Sequence, residues 1–167
     1  MKKLFLIILN ILFVFSIFAE GSKLPRLAVV EFSINDSKNQ KLVNDAIAVR
    51  NLVQSNIVKT GCYDVIARAE IDKLLENQEI SISSISSNEN LNKLKLLNIH
   101  YLITGSVDAM DSYYQVSISV LDVSNGRFPH SDEEFMENSA PEVNKGVKSL
   151  VTRFINGINT MEQKLCR

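Results

Sequence analysis

His100-Tyr101-Leu102-Ile103-Thr104-Gly105-Ser106-Val107 and, beyond Met110-Asp111-Ser112, Tyr113-Tyr114-Gln115-Val116-Ser117-Ile118-Ser119-Val120-Leu121-Asp122-Val123 decide the fold of this chain. Apolar and polar residues alternate through both runs, and a period of two predicts strands. The tight connection at Met110-Asp111-Ser112 makes the two strands an antiparallel hairpin. Val116, Ile118 and Val120 share one face while Ser117 and Ser119 point the other way, so one side of the sheet is half exposed. Ser124-Asn125-Gly126 then turns the chain, because Asn and Gly accept positive φ. A return strand over Arg127 to Phe135 follows at the sheet edge, where Pro129 is tolerated for lacking a donor.

Outward from this core the period changes. Residues 24–34 begin as a linker and become a β-branched, mostly apolar interior strand. Asn35-Asp36-Ser37-Lys38 is a loop, after which Leu42, Ala46, Val49, Val53 and Ile57 recur at three or four positions and predict a long helix. Gly61 ends it, since glycine enters the left-handed conformation of a C-cap without penalty. Cys62 to Ala67 reads as a short strand. Arg68 to Gln78 reads as a helix with an apolar stripe at Ile71, Leu74 and Leu75. The serine-rich stretch Ser81 to Asn90 is a surface loop, and Glu89 to Leu97 a third helix with Asn88 as its cap. The chain closes with a fourth helix, opened by Ser139 and Glu142 at capping-box spacing with Pro141 in the first turn. Its stripe of Val143, Val147, Leu150, Phe154, Ile158 and Met161 must be buried against the sheet. The order is βαβααβββα, a single α/β domain with a mixed β-sheet packed with helices.

The first nineteen residues supply an address. Lys2 and Lys3 precede an apolar run from Leu4 to Phe18, and Ala19 gives way to Glu20-Gly21-Ser22-Lys23, the layout of a signal peptide cleaved near Ala19. An uncleaved anchor fits less well, because fifteen helical residues span roughly 22 Å against a hydrocarbon core of about 30 Å, and Asn10 interrupts the run. Residues 20–167 are then one domain of 148 residues, exported to the periplasm and without a membrane span. Loss of the two lysines takes the formal charge from −1 to −3, and the basic residues form no stripe, which argues against nucleic-acid binding. No cysteine lies near the cut, so no lipid anchor is expected. The two cysteines, Cys62 and Cys166, are candidates for a disulfide closing a loop of about 100 residues. His100 and His130 stand apart from each other and from the cysteines, and no metal or cofactor site is spelled.

Tyr63-Asp64-Val65-Ile66-Ala67-Arg68 with Ile71, Leu74-Leu75 and Gln78 resembles the strand-helix unit of CsgG-like, LpoB-like and TolB-amino-terminal-like bacterial envelope domains. The stretch from Leu97 to Val107 resembles their helix, strand and Gly-Ser turn, and Val116 to Gly126 their strand ending in Asp-Val-x-x-Gly. The likeness spans roughly residues 26–135. Ala67 stands where the group often carries Asp, and Asn98 where it carries glycine. The resemblance implies an accessory domain that acts by protein contact: a partner of another envelope protein in secretion, assembly or wall synthesis, as a penicillin-binding-protein activator is, or a module that associates with itself. A TolB-like docking domain is the alternative within this class. A CsgG-type pore would need two inserted membrane hairpins, for which no apolar segment is spare.

Candidate contact residues are Tyr113, Tyr114, Phe128 and Phe135, because exposed aromatics give large contact area at modest entropic cost. The bland alternative is that they pack beneath the last helix. The edge strand itself offers a place for a strand from another chain. A cell-wall hydrolase, the alternative of another class, would need paired carboxylates, and Asp108 with Asp111 is the pair on offer. Gly105-Ser106 lacks the second glycine and the strand-turn-helix context of a nucleophile elbow, so Gly105 marks a close backbone approach. His100 reads as a partly buried core residue. His130, with Asp132, Glu133 and Glu134 nearby, reads as a solvated edge or a weak cation site. No catalytic residue is assigned.

Overall fold

The computed structural model describes residues 24–161. The signal-peptide segment and Cys166 lie outside the described residues. The elements are β1 (Arg26–Val29), β2 (Ser33–Ile34), α1 (Gln40–Thr60), β3 (Asp64–Val65), α2 (Arg68–Asn77), a 3-10 turn (Ile82–Ser84), α3 (Asn88–Leu96), β4 (Tyr101–Met110), β5 (Tyr113–Asp122), β6 (Arg127–Glu137) and α4 (Ala140–Met161). The expected single domain with a mixed sheet is what forms. Its sheet runs β3-β1-β4-β5-β6, with β2 continuing along β4 beyond the end of β1. Strands β3, β1 and β4 are parallel, whereas β4, β5 and β6 form an antiparallel meander.

The first strand differs from expectation: it is two short strands with a break at Val30-Glu31-Phe32. Two distant residues account for the break. Arg50, in the middle of α1, donates from Nε and Nη2 to the Val29 carbonyl at 3.1 and 2.6 Å. Phe32 folds over Gly105, where an added Cβ would lie 2.8 Å from the ring and 2.4 Å from the Ser117 carbonyl oxygen. Gly105 is thus the close approach that the sequence suggested. β2 then resumes pairing with β4, and Asn35 extends it by exchanging side-chain hydrogen bonds with the backbone of Ala109 at 3.3 Å each.

Helix ends follow local chemistry. The Asn39 side chain accepts from the Leu42 N–H at 3.2 Å, capping α1. Gly61 ends that helix at φ 65°, its N–H donating to the Val58 carbonyl. Ser87, rather than Asn88, caps α3, because its extended backbone aims Oγ at the Asn90 N–H. Asn98, where the resembled group has glycine, takes φ 56° just past α3; asparagine is among the few residues that tolerate it. Helix α4 begins directly after Ser139, whose carbonyl takes its first helical bond from Val143.

Two apolar layers sandwich the sheet. Beneath one face, α1 and α4 bury Val49, Val53, Ile57, Leu150 and Phe154 against Leu27, Val29, Ile103, Val116 and Ile118. Each such fully buried side chain contributes roughly 1.5 to 3 kcal/mol. On the opposite face α2, α3 and their connection bury Ile71, Leu75, Leu91 and Leu94 against Ala28, Leu102 and Leu121. The serine-rich loop belongs to this layer more than expected, since Ile80 and Ile85 are buried and the Asn90 amide holds the Ser84 carbonyl at 2.9 Å. Because α2 and α3 stand over β1, β3 and the first residues of β4, the meander beyond them has one face bare among the described residues.

Candidate functional site

The bare face is set by strand parity. Register pairs Met110 with Tyr113, Asp108 with Gln115, Gln115 with Phe135 and Tyr113 with Glu137. These side chains therefore project together, away from α4, along with Ser106, Ser117, Ser119, Ser131 and Glu133. Met110, Tyr113 and Phe135 are 48%, 47% and 56% exposed and form an apolar group at the hairpin end. A polar ladder surrounds them: Ser106 Oγ donates to Asp108 Oδ2 at 3.2 Å, the Gln115 amide to Glu133 Oε2 at 2.9 Å, and the Ser119 and Ser131 hydroxyls meet at 2.8 Å. Beside this face runs β6, eleven residues long and the last strand of the sheet.

Of the four aromatic residues named from the sequence, the structure brings Tyr113 and Phe135 together. Phe128 is 47% exposed but stands seven residues from Phe135 along β6, roughly 24 Å away. Tyr114 is on the opposite face and only 4% exposed, with its ring in the core. Its hydroxyl donates to Asp45 and accepts from Lys41 Nζ at 2.8 Å, and Lys41 also pairs with Asp45 at 2.8 Å. Burial would raise the Asp45 carboxyl, but the Lys41 and Tyr114 hydrogen bonds outweigh it and hold the group below its ordinary value. Burial and the Asp45 hydrogen bond push the Tyr114 phenol up, and Asp45 does the same to the Lys41 ammonium. This trio clamps the first turn of α1 to β5. Met110 was missed in the sequence; its place directly opposite Tyr113 across a two-residue turn was the available signal.

The other candidate residues fall elsewhere. His100 is exposed, not a core residue: its Nδ1 accepts from the Arg26 N–H at 3.1 Å, at the start of β4. His130 is turned inward rather than to a solvated edge. Its ring lies 5.2 Å from that of Phe154, and Nε2 is buried over Gly157, where an added Cβ would come within 2.3 Å. Asp132 and Glu134 share that inward face and are taken by Arg153 of α4, which grips Asp132 through two bonds of 3.1 Å and Glu134 through one of 2.5 Å. The Asp132 and Glu134 hydrogen bonds raise the Arg153 guanidinium further above its ordinary value. Asp108 is engaged by Ser106, and Asp111 sits in the hairpin turn at φ 45°, about 10 Å along the strand. Among the described residues no three metal-ligating side chains converge.

Arg50 is a second feature that the helical periodicity concealed. It is 2% exposed at the edge of a cavity of about 290 Å³ and donates to Asp72 at 3.2 Å as well as to Val29. Asp72 also receives Arg68 at 3.3 Å, so the group ties α1, β1 and α2 together. A charged residue between Val49 and Val53 on an apolar stripe was the signal.

Fold and surface together define the class: an α/β domain with a mixed sheet, helices covering one face and half of the other, and an open outer meander. The chain belongs to the CsgG family, the family model for the curli production assembly/transport component CsgG matching residues 21–119. Among solved structures, the PelC dodecamer from Paraburkholderia phytofirmans is similar at 16% identity, with 81% of this chain and 87% of that chain covered and a TM-score of 0.51. The LpoB C-terminal domain from Salmonella enterica is similar at 13% identity over 74% of this chain and 90% of that chain, with a TM-score of 0.44. TolB from Acinetobacter baumannii shows 12% identity over 84% of this chain and 29% of that chain, with a TM-score of 0.49. At such identities the likeness is one of fold. No curated protein matches the chain. The resemblance carried by Tyr63 to Arg68 and Leu97 to Val107 is thereby borne out. Among the described residues no helix is long and apolar enough to cross a membrane.

Proposed function

We propose that this chain is a non-enzymatic accessory protein of the bacterial envelope, exported to the periplasm by its first nineteen residues, that works by binding another envelope protein. The observation that carries the reading is the outer face of the meander, uncovered among the described residues, where Met110, Tyr113 and Phe135 stand exposed beside a strand edge that no other described strand pairs. Membership of the CsgG family supports it, and so does the fold shared with PelC, which crystallised as a dodecamer. Exposed aromatic side chains on a rigid sheet are suited to contact, because little conformational entropy is lost when they are covered.

Crosslinking in intact cells through a photoreactive residue at position 135, followed by mass spectrometry, tests the reading. An envelope protein captured at 135 and not at exposed Val58 on α1 is the expected result. Capture of cytosolic proteins alone overturns it. The amino-terminal mass tests export in the same preparation: a mature start at Glu20 is expected, and an intact Met1 contradicts cleavage.

A further inference from the structure

The open face has a chemistry that selects its occupant. The meander with its turns, Tyr101 to Glu137, holds seven acidic residues and one basic residue, a formal charge of −6 in a chain whose total is −1. Two of those carboxylates, Asp132 and Glu134, point under the sheet and share the single charge of Arg153. On the bare side of the edge strand the order is Glu133, Phe135, Glu137, and all three are exposed. Inward neighbours are Ser117, Gln115 and Tyr113, none of which carries a compensating cation.

We propose that β6 receives an extended segment of a partner protein whose side chains read basic, apolar, basic at alternate positions, added to the sheet edge opposite Glu133, Phe135 and Glu137. This rests on the accessory reading above and specifies the partner's chemistry. Period two fixes the pattern: a strand paired to β6 sets its own side chains directly across from those of β6, with the Cβ atoms about 5 Å apart. Opposite charges across such a pair stabilise and like charges repel. The apolar residue completes a cluster with Phe135, which lies diagonal to Tyr113 on the neighbouring strand, and with Met110, which pairs with Tyr113 in register. Main-chain hydrogen bonds along the edge supply affinity independent of sequence, and the Glu-Phe-Glu order supplies selection.

The same geometry argues against a second copy on this edge. Antiparallel pairing of two β6 strands centred on Phe135 sets Glu133 against Glu137, and parallel pairing in register sets each glutamate against itself. Either arrangement places like charges directly opposite. An anionic membrane surface is repelled for the same reason.

The test is a charge swap on the mature chain. The probes are a labelled synthetic peptide alternating threonine with lysine, phenylalanine and lysine, the same peptide with glutamate for lysine, and a composition-matched peptide with the two lysines adjacent. Fluorescence anisotropy at low salt and at about 0.5 M salt, where the screening length falls to roughly 4 Å, reads the affinities. The native chain is expected to bind the alternating lysine peptide at least about tenfold more tightly than either control, with the preference shrinking at high salt. The Glu133→Lys, Glu137→Lys double variant is expected to reverse the preference toward the glutamate peptide. Both positions are exposed, and an unchanged thermal melt shows that the variant is folded. Equal binding of the adjacent-lysine peptide, or no reversal in the folded variant, overturns the proposal. If crosslinking at 135 still captures an envelope protein in that case, the accessory reading stands and only the partner's chemistry falls. A doubling of mass on gel filtration that is lost in the double variant also overturns it, in favour of a second copy.

Discussion

At the scale of single residues, two positions have consequences that a composition count would not show. Gly105 carries ordinary strand backbone, yet its missing Cβ leaves room for the Phe32 ring and the Ser117 carbonyl. Replacing it with alanine forces a backbone atom to move, so Gly105→Ala should cost about 2 to 3 kcal/mol, the upper part of the range for overpacking. Urea midpoints check this, with Ser106→Ala expected to remain within about 1 kcal/mol of the native protein. Asp45 gives a pH signature. Its folded-state pKa is lowered, so its contribution is fully present above the ordinary carboxylate value of about 3.9 and is lost as the pH falls through the lowered value. Asp45→Asn should therefore destabilise by about 1 kcal/mol at neutral pH, after allowing for partial exposure. Native and variant stabilities should converge as the pH is taken down through that range; a constant gap would show that the carboxylate charge is not what matters.

At the scale of elements, the hold of α4 on β6 rests on one face of each. Met136 and His130 of β6 sit over Gly146 and Gly157, eleven residues apart and so on the same side of α4. Glycine inside a helix costs about 1 kcal/mol relative to alanine, and here it makes room for two inward side chains. Arg153 lies between them and holds Asp132 and Glu134. Removing it leaves two neighbouring carboxylates facing each other, so Arg153→Ala should cost about 1 kcal/mol at low salt and less at 0.5 M salt. Hydrogen exchange of β6 amides should rise in the same variant; unchanged protection would mean that apolar contacts alone hold the strand. This arrangement also shows why some elements were legible and others were not. Helix α1 and its stop at Gly61 depend on neighbours within a few residues, and so could be read directly. The break between β1 and β2 depends on Arg50 and Gly105, remote in sequence, and no local pattern announces it. Likewise Tyr113 and Tyr114 were both named as contact residues although adjacent strand residues face opposite ways, and α1 packing on the far side decides that Tyr114 is the buried one. His130 was misread because the residues beside it in sequence are charged, whereas the residues that meet it come from α4.

At the scale of the whole molecule, a link between Cys62 and Cys166 would tie the end of α1 to the segment that follows α4. Cys62 is buried where α1 hands over to β3, next to Tyr63 in the layer shared with α4. Its only possible partner within the chain is Cys166, five residues past the end of α4. If the chain is exported as proposed, pairing in an oxidising compartment would enclose about 100 residues, including α2, α3, the whole meander and α4, and the chain-entropy relation assigns such a loop about 4 to 5 kcal/mol. The sheet's long-range order depends on this span, because β4 pairs with β1 while β6 is held by α4. Constraining the denatured chain at these two positions therefore acts on the docking of α4 and the meander at once. The protein recovered under oxidising conditions should have a mass about 2 Da below that of its reduced form and resist alkylation until unfolded with a reductant. Cys62→Ser and Cys166→Ser should lower stability similarly, and the double variant should lose no more than either single change beyond the packing cost at position 62, since both report one bond. Unequal losses with ready alkylation of Cys166 in the native protein would instead identify two independent thiols, and α4 would then owe its place to its apolar stripe and Arg153 alone.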